Sequence, residues 1–192
     1  MRTINFIFNI TLLCSFTIHA QQTCGIYQTV SDYENEQLSI TGNCKFGKKS
    51  VQISDFFLRP YIFIQSDECK IKFHQDSIYA VKSCEGNIYR IWNQKAYQIL
   101  DTGNLCIYSL CYCKTVKLKT CRGYKYKSEK VINYYFSEND SCDILPLTLT
   151  NVRLALLADK DLDKKLVQKF IDDKYLHSKI NNKFLINDFL DN

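Results

Sequence analysis

Between residues 49 and 136 the chain repeats one local pattern: a short run rich in Val, Ile, Tyr and Phe, then a polar break. The runs are Lys49 to Ser54, Tyr61 to Gln65, Lys70 to His74, Ile78 to Lys82, Ile88 to Asn93, Ala96 to Leu100, Leu105 to Val116 and Val131 to Phe136. The breaks carry turn chemistry, as in Ser66, Asp67 and Glu68, in Glu85, Gly86 and Asn87, and in Asp101, Thr102, Gly103 and Asn104. Short strands at close, regular spacing argue for an antiparallel meander. Composition agrees, since Tyr 13 and Phe 12 stand against Gly 6 and Pro 2, and aromatic residues suit pleated, half-buried surfaces.

Upstream, Ser31 to Glu34 reads as one capped helical turn, with Ser31 as N-cap and Glu34 three residues on. After Pro146 the period changes. Val152, Leu156 and Leu157, then Leu162, Leu166, Val167 and Phe170, then Ile180, Phe184, Leu185 and Phe189 recur at helical spacing. Thr150 is placed to cap the first helix, and Asp159 or Asp161 the second. Their polar faces mix Asp, Asn and Lys without the basic bias of a membrane-surface helix, so the apolar stripes are expected to dock on the sheet. The fold class is therefore α+β, an antiparallel β-meander or small curved barrel capped by C-terminal α-helices. It forms one domain over 21–192, strand-rich over 49–136 and helical over 147–190.

The first twenty residues, MRTINFIFNITLLCSFTIHA, read as a secretory signal: Arg2 gives the positive start, Phe6 to Phe16 the apolar stretch and Ala20 the small residue before the cut. A lipoprotein anchor at Cys14 is disfavoured by bulky Leu13, and the apolar run is shorter than the ~20 residues a span needs. No later segment has a transmembrane pattern, so export to the periplasm, cell surface or medium is expected. Nine cysteines remain after Cys14 leaves with the signal: Cys24, Cys44, Cys69, Cys84, Cys106, Cys111, Cys113, Cys121 and Cys142. In an oxidising compartment they allow up to four disulfides and one odd thiol, in pairings the spacing does not decide.

Charge concentrates in one place. In KTVKLKTCRGYKYKSEK, Lys114, Lys117, Lys119, Arg122, Lys125, Lys127 and Lys130 face only Glu129. A basic stretch interleaved with aromatics suits an anionic polymer, and it equally suits the solvated tip of a hairpin guarded by lysines. The candidate ligand-binding residues are Lys119, Arg122, Lys125 and Lys127, and the expected partner is an anionic envelope polymer or another envelope protein. Export argues against nucleic acid.

Catalytic signals are thin. The mature chain has two histidines: His74, on the strand face of Lys70 and Lys72 and so solvated, and His177, near a helix start. Neither sits beside a thiol in a nucleophilic motif, the acidic pairs imply no cleft, and no nucleotide or hydrolase signature occurs. No catalytic residue, metal ligand or cofactor is therefore assigned, and a non-catalytic binding module leads. The alternative is a thiol- or zinc-dependent protein or enzyme using Cys106 to Cys121. Period two places Cys111 and Cys113 on one strand face and Cys106 on the other, and a zinc site would require Cys121 and a fourth ligand to close it.

The segments Val51 to Ile62, Asp76 to Val81, Tyr89 to Trp92, Tyr97 to Leu100 and Tyr134 to Ser137 form a series. With Asp32 and Tyr33, Asn43 and Cys44, and Leu147 and Thr148, it resembles small exported proteins of Bacteroidota. The resemblance spans about residues 27 to 190 and implies no activity that could be carried over to a residue. In its first segment Phe56 and Phe57 are expected to plug a core, and Pro60 to hold Arg59 extended at a corner. Trp92 shares a strand face with Ile88 and Arg90, suited to core or rim, or to lining a ligand surface.

Overall fold

The computed structural model describes residues 23–45, 50–53, 60–67, 69–121, 123–156, 164–166, 169–170, 176–180 and 183–190. The signal segment 1–20, the corner at 54–59, the caps expected at Asp159 or Asp161, and Arg122 lie outside them. An eight-stranded sheet runs in the order β11, β10, β9, β8, β7, β6, β1, β2. Its strands are β1 (Cys24–Tyr27), β2 (Ile40–Gly42), β6 (Ala80–Lys82), β7 (Ile88–Trp92), β8 (Lys95–Thr102), β9 (Cys106–Thr120), β10 (Gly123–Ser137) and β11 (Leu145–Pro146). A three-stranded sheet joins β3 (Val51–Ile53), β4 (Tyr61–Gln65) and β5 (Lys70–His74). The two strands β12 (Lys179–Ile180) and β13 (Lys183–Phe184) pair separately, so the helical spacing expected from Ile180 holds only from Leu185 onward, and Ile180 and Phe184 lie on paired strands instead.

From β6 to β11 each strand pairs with the next in sequence, so the expected antiparallel meander is present. The sheet keeps two open edges, β2 and β11, and does not close into a barrel. Turn chemistry explains the tight links. Asn93 and Gln94 both adopt positive φ, 46° and 59°, the two-residue geometry whose twist matches that of its flanking strands. Between β8 and β9 the register shifts at Ile99/Asp101, a bulge that re-aims the end of β8.

Strands β1 and β2 carry no alternation to read, because all four residues of β1 are buried and β2 is only three long. The β1–β2 approach is close: a Cβ on Gly25 would strike the Ile40 carbonyl oxygen. Helix α1 (Val30–Glu34) follows β1, and its cap is Thr29 rather than Ser31. The Thr29 hydroxyl accepts from the Asp32 amide at 3.1 Å while Asp32 accepts from the Thr29 amide at 3.0 Å, so two otherwise unpaired amide groups are satisfied reciprocally. The same shift of frame recurs in α2 (Leu149–Ala155), capped by Thr148 instead of Thr150.

Three apolar clusters hold these layers. Ile26, Ile62, Ile64, Val81 and Ile91 pack the three-stranded sheet on the β1–β6–β7 end. On the β9–β10 end, Leu105, Ile107 and Phe136 meet Leu147, Val152, Leu166, Phe170, Leu176, Phe184 and Ile186. The described C-terminal residues thus dock on the sheet, each fully buried large side chain contributing roughly 1.5–3 kcal/mol, while Leu157, Leu162 and Val167 of the expected stripes lie outside the described residues. The final helix, α3 (Leu185–Leu190), is fixed by Asn187, whose side chain bonds both backbone groups of Leu105, at 3.0 and 2.9 Å. On the opposite sheet face Tyr97, Cys106, Tyr108 and Ile144 form the third cluster, with Trp92 packed against it.

One disulfide joins Cys44 and Cys84, and the other seven described cysteines are free thiols. The four-disulfide framework the count permits is absent because Cys111, Cys113 and Cys121 stand exposed on strands and a turn that project from the body.

Candidate functional site

The long pair β9–β10 outgrows the sheet. Its ladder runs without a break from Cys106↔Ser137 to Thr120↔Gly123. Its neighbour β8 stops pairing at Ser109, and β11 reaches only Tyr135 and Phe136. From Leu110 outward the two strands stand alone, an arm of roughly 35 Å at about 3.3 Å per residue. Lysines lower strand propensity, which is why the sequence suggested shorter strands ending at Val116 and starting at Val131.

Opposed residues in an antiparallel ladder share a face, so the register divides the arm into two surfaces. One carries Cys111 and Ile132, Cys113 and Lys130, Lys117 and Tyr126, Lys119 and Tyr124. The other carries Tyr112 and Val131, Lys114 and Glu129, Val116 and Lys127, Leu118 and Lys125. Of the sequence candidates, Lys119 lies on the first face and Lys125 and Lys127 on the second, and Arg122 lies outside the described residues. Linear sequence grouped them; strand parity separates them.

The first face is the more strongly cationic. It bears Lys117, Lys119 and Lys130 and no acidic residue, beside Tyr124 and Tyr126 at 62% and 65% exposure. The Lys117 ammonium sits 3.9 Å from the centre of the Tyr124 ring, a contact between cross-strand diagonal neighbours. On the second face Glu129 offsets part of the charge, with its carboxylate 3.3 Å from the Lys127 ammonium. Tyr112, Leu118 and Ile132 add further exposed apolar surface along the arm.

The zinc alternative is not assembled here. Cys113 and Cys121 are eight residues apart along the arm, roughly 26 Å at about 3.3 Å per residue, far beyond a shared tetrahedral ion. Cys106 points to the opposite face, where it is buried and donates to Asp140 at 3.4 Å. His74 is exposed beside Asp76, and His177 stacks on Tyr134 with its ring nitrogen 3.2 Å from the Leu147 carbonyl.

Sequence reasoning noted Arg90 only as a strand neighbour of Trp92; the structure makes it the centre of a buried network. Its Nη1 donates to the Tyr108 hydroxyl at 3.0 Å and Ser137 at 3.2 Å, and Nη2 to the Cys142 carbonyl at 2.7 Å. The rings of Tyr79, Trp92 and Tyr108 surround the guanidinium at 5.3–5.7 Å. Tyr79, Arg90, Trp92 and Asp140 border an open cleft of about 560 Å³. Burial, with the Asp140 carboxylate beside it, pushes the Cys106 thiol up to about 12 and burial pushes the Tyr108 phenol up to about 12. Both groups therefore stay protonated at neutral pH. The chain matches no protein-family model, no curated protein and no solved structure.

Proposed function

We propose that the protein is an exported, non-catalytic binding module whose β9–β10 arm grips an anionic polysaccharide of the cell envelope. The observation that carries this reading is the acid-free face of the arm, where Lys117, Lys119 and Lys130 alternate with exposed Tyr124 and Tyr126. An isolated two-stranded ribbon is marginal in water, and exposed tyrosines on it gain most when a partner covers them. Lysines at that spacing supply point charges to successive anionic groups, and tyrosine rings stack on sugar faces. The signal-like first twenty residues support export, and the Cys44–Cys84 disulfide suits an oxidising compartment. No helix among the described residues is long and apolar enough to cross a membrane. The resemblance to exported proteins of Bacteroidota fits this reading and adds no activity.

The test is retention on immobilised dextran sulfate over a salt gradient. The double variant Lys117→Glu/Lys119→Glu should elute at distinctly lower salt than the wild type, and Lys125→Glu/Lys127→Glu should move less. Unchanged elution of the first variant overturns the arm as the binding surface. A protein that ignores the polymer but captures an acidic envelope protein through the same lysines transfers the arm to a protein partner and ends the polysaccharide reading.

A further inference from the structure

Three sulfurs meet at the opposite end of the sheet from the arm. Strand β1 lies between β2 and β6, with Cys24 paired to Gly42 and Gly25 paired to Lys82. Cys44 follows β2 by two residues and Cys84 follows β6 by two, so both sides of the sheet's edge deliver a cysteine to the start of β1. The Sγ atoms of Cys24, Cys44 and Cys84 all lie within 4.8 Å of one another. Glycine at position 42 makes the room, since a Cβ there would come within 2.8 Å of the Cys24 sulfur.

The three differ in exposure. Cys24 is fully buried, while Cys44 and Cys84 are partly exposed, and Cys44 borders a cleft of about 400 Å³ with Asn43, Lys45 and Asp67. A thiol packed against a disulfide is a reactant beside its substrate, because exchange needs only an attacking thiolate within reach of a disulfide sulfur. We propose that Cys24, Cys44 and Cys84 form a thiol–disulfide exchange site, in which Cys24 displaces Cys84 or Cys44 from their shared bond.

The step balances within the chain. Cys24 loses its proton to solvent and its thiolate attacks Sγ of Cys44; the Cys24–Cys44 bond forms as Cys44–Cys84 breaks. The electron pair leaves on the Cys84 sulfur, which takes up a proton. Attack on Cys84 releases Cys44 in the same way, and no oxidant or reductant enters. The outcome is positional: the odd thiol moves from the buried start of β1 to the turn after β6 or to the cleft at Cys44, where an external disulfide can reach it. Burial raises the Cys24 thiol above its usual range, with backbone hydrogen bonds at Cys24 and Gly42 opposing, so exchange accelerates as pH rises.

The experiment maps disulfide-linked peptides of the folded, full-length exported protein, incubated without added oxidant, quenched in acid and alkylated. The wild type should yield Cys44–Cys84 together with Cys24–Cys44 or Cys24–Cys84, the approach to that mixture quickening about tenfold per pH unit between about pH 6 and pH 8. Treated with oxidised glutathione, which takes up the two electrons, Cys84→Ser should close Cys24–Cys44 and Cys44→Ser should close Cys24–Cys84. Only Cys44–Cys84 in the wild type at every pH overturns the proposal, even if the variants fail to fold. Cys24 linked indiscriminately to Cys69, Cys111, Cys113 and Cys121 also overturns it, because that is the signature of an unfolded chain scrambling.

Discussion

Arg90 donates to the Tyr108 hydroxyl at 3.0 Å, both side chains at 2% exposure or less, and so ties the central strand β7 to the root of the projecting arm. The same guanidinium reaches Ser137 on β10 and the Cys142 carbonyl beyond it. Deleting it removes three hydrogen bonds at once, to Tyr108, Ser137 and the Cys142 carbonyl, and leaves a cavity among Tyr79, Trp92 and Tyr108. Arg90→Ala should cost about 3–5 kcal/mol. Arg90→Lys keeps the charge but has one nitrogen where the arginine uses two, and should cost about 1–3 kcal/mol. Urea denaturation midpoints measure both; a lysine variant as stable as the wild type would show that the forked geometry is unimportant.

Surface chemistry on the arm should separate from stability. Tyr124 and Tyr126 are exposed and touch no core cluster, so Tyr124→Ala/Tyr126→Ala should shift stability by no more than about 0.5 kcal/mol per site. If their rings contact a bound polymer, the same variant should elute earlier from dextran sulfate with its circular dichroism unchanged. A large fall in melting temperature would instead assign the tyrosines to holding the ribbon together.

Alkaline pH should weaken the fold through the face around Arg90. Burial, then the nearby Asp140 carboxylate, raises the Cys106 thiol from a reference near 9.0 to about 12. The native state therefore holds its proton where the unfolded chain has released it. The stabilisation is complete below about pH 9 and is lost as pH rises toward about 12. Tyr108, also raised to about 12, adds to the decline from about pH 10 upward. Melting temperatures should fall across this window, and Cys106→Ala should flatten the early part of the slope. An unaltered slope in that variant would remove Cys106 as a contributor.

Much of the meander was legible because its core signal is local. Tyr61–Gln65 and Lys70–His74 match their strands to the residue, since alternation and turn residues bound them on both sides. The paired faces of Cys111 and Cys113 against Cys106 also followed from period two. What stayed hidden depends on partners distant in sequence. The Arg90 network spans 18 residues to Tyr108 and 52 to Cys142, and the sulfur cluster forms only when β1 inserts between β2 and β6. Ser31 and Thr150 are plausible caps by type, but Thr29 and Thr148 win because the chain enters each helix there with extended backbone. Lys119 and Lys125 sit six apart in sequence on opposite faces because the turn between them folds the strand back, and the register, not the spacing, decides the face.

Asn187 pins the helix Leu185–Leu190 to the backbone of Leu105. Asn187 is 1% exposed, and its Oδ1 accepts from the Leu105 amide while its Nδ2 donates to the Leu105 carbonyl, the pairing another strand would supply. Gly103 lies directly beneath, where a Cβ would come within 2.8 Å of that side chain. Asn187→Asp is nearly isosteric yet cannot donate to the Leu105 carbonyl and would bury a carboxyl group, so it should cost about 2–4 kcal/mol. Asn187→Leu removes both bonds and should cost at least about 2 kcal/mol, whereas Gly103→Ala should perturb the same contact from the opposite side. Because Leu105 immediately precedes the strand that becomes the arm, Asn187→Asp should also speed amide hydrogen exchange at Leu105 and Ile107 relative to Ile26 and Val81, which pack in a separate cluster. Equal acceleration in both clusters would mean that the amide stabilises the whole fold and not the junction of helix and arm.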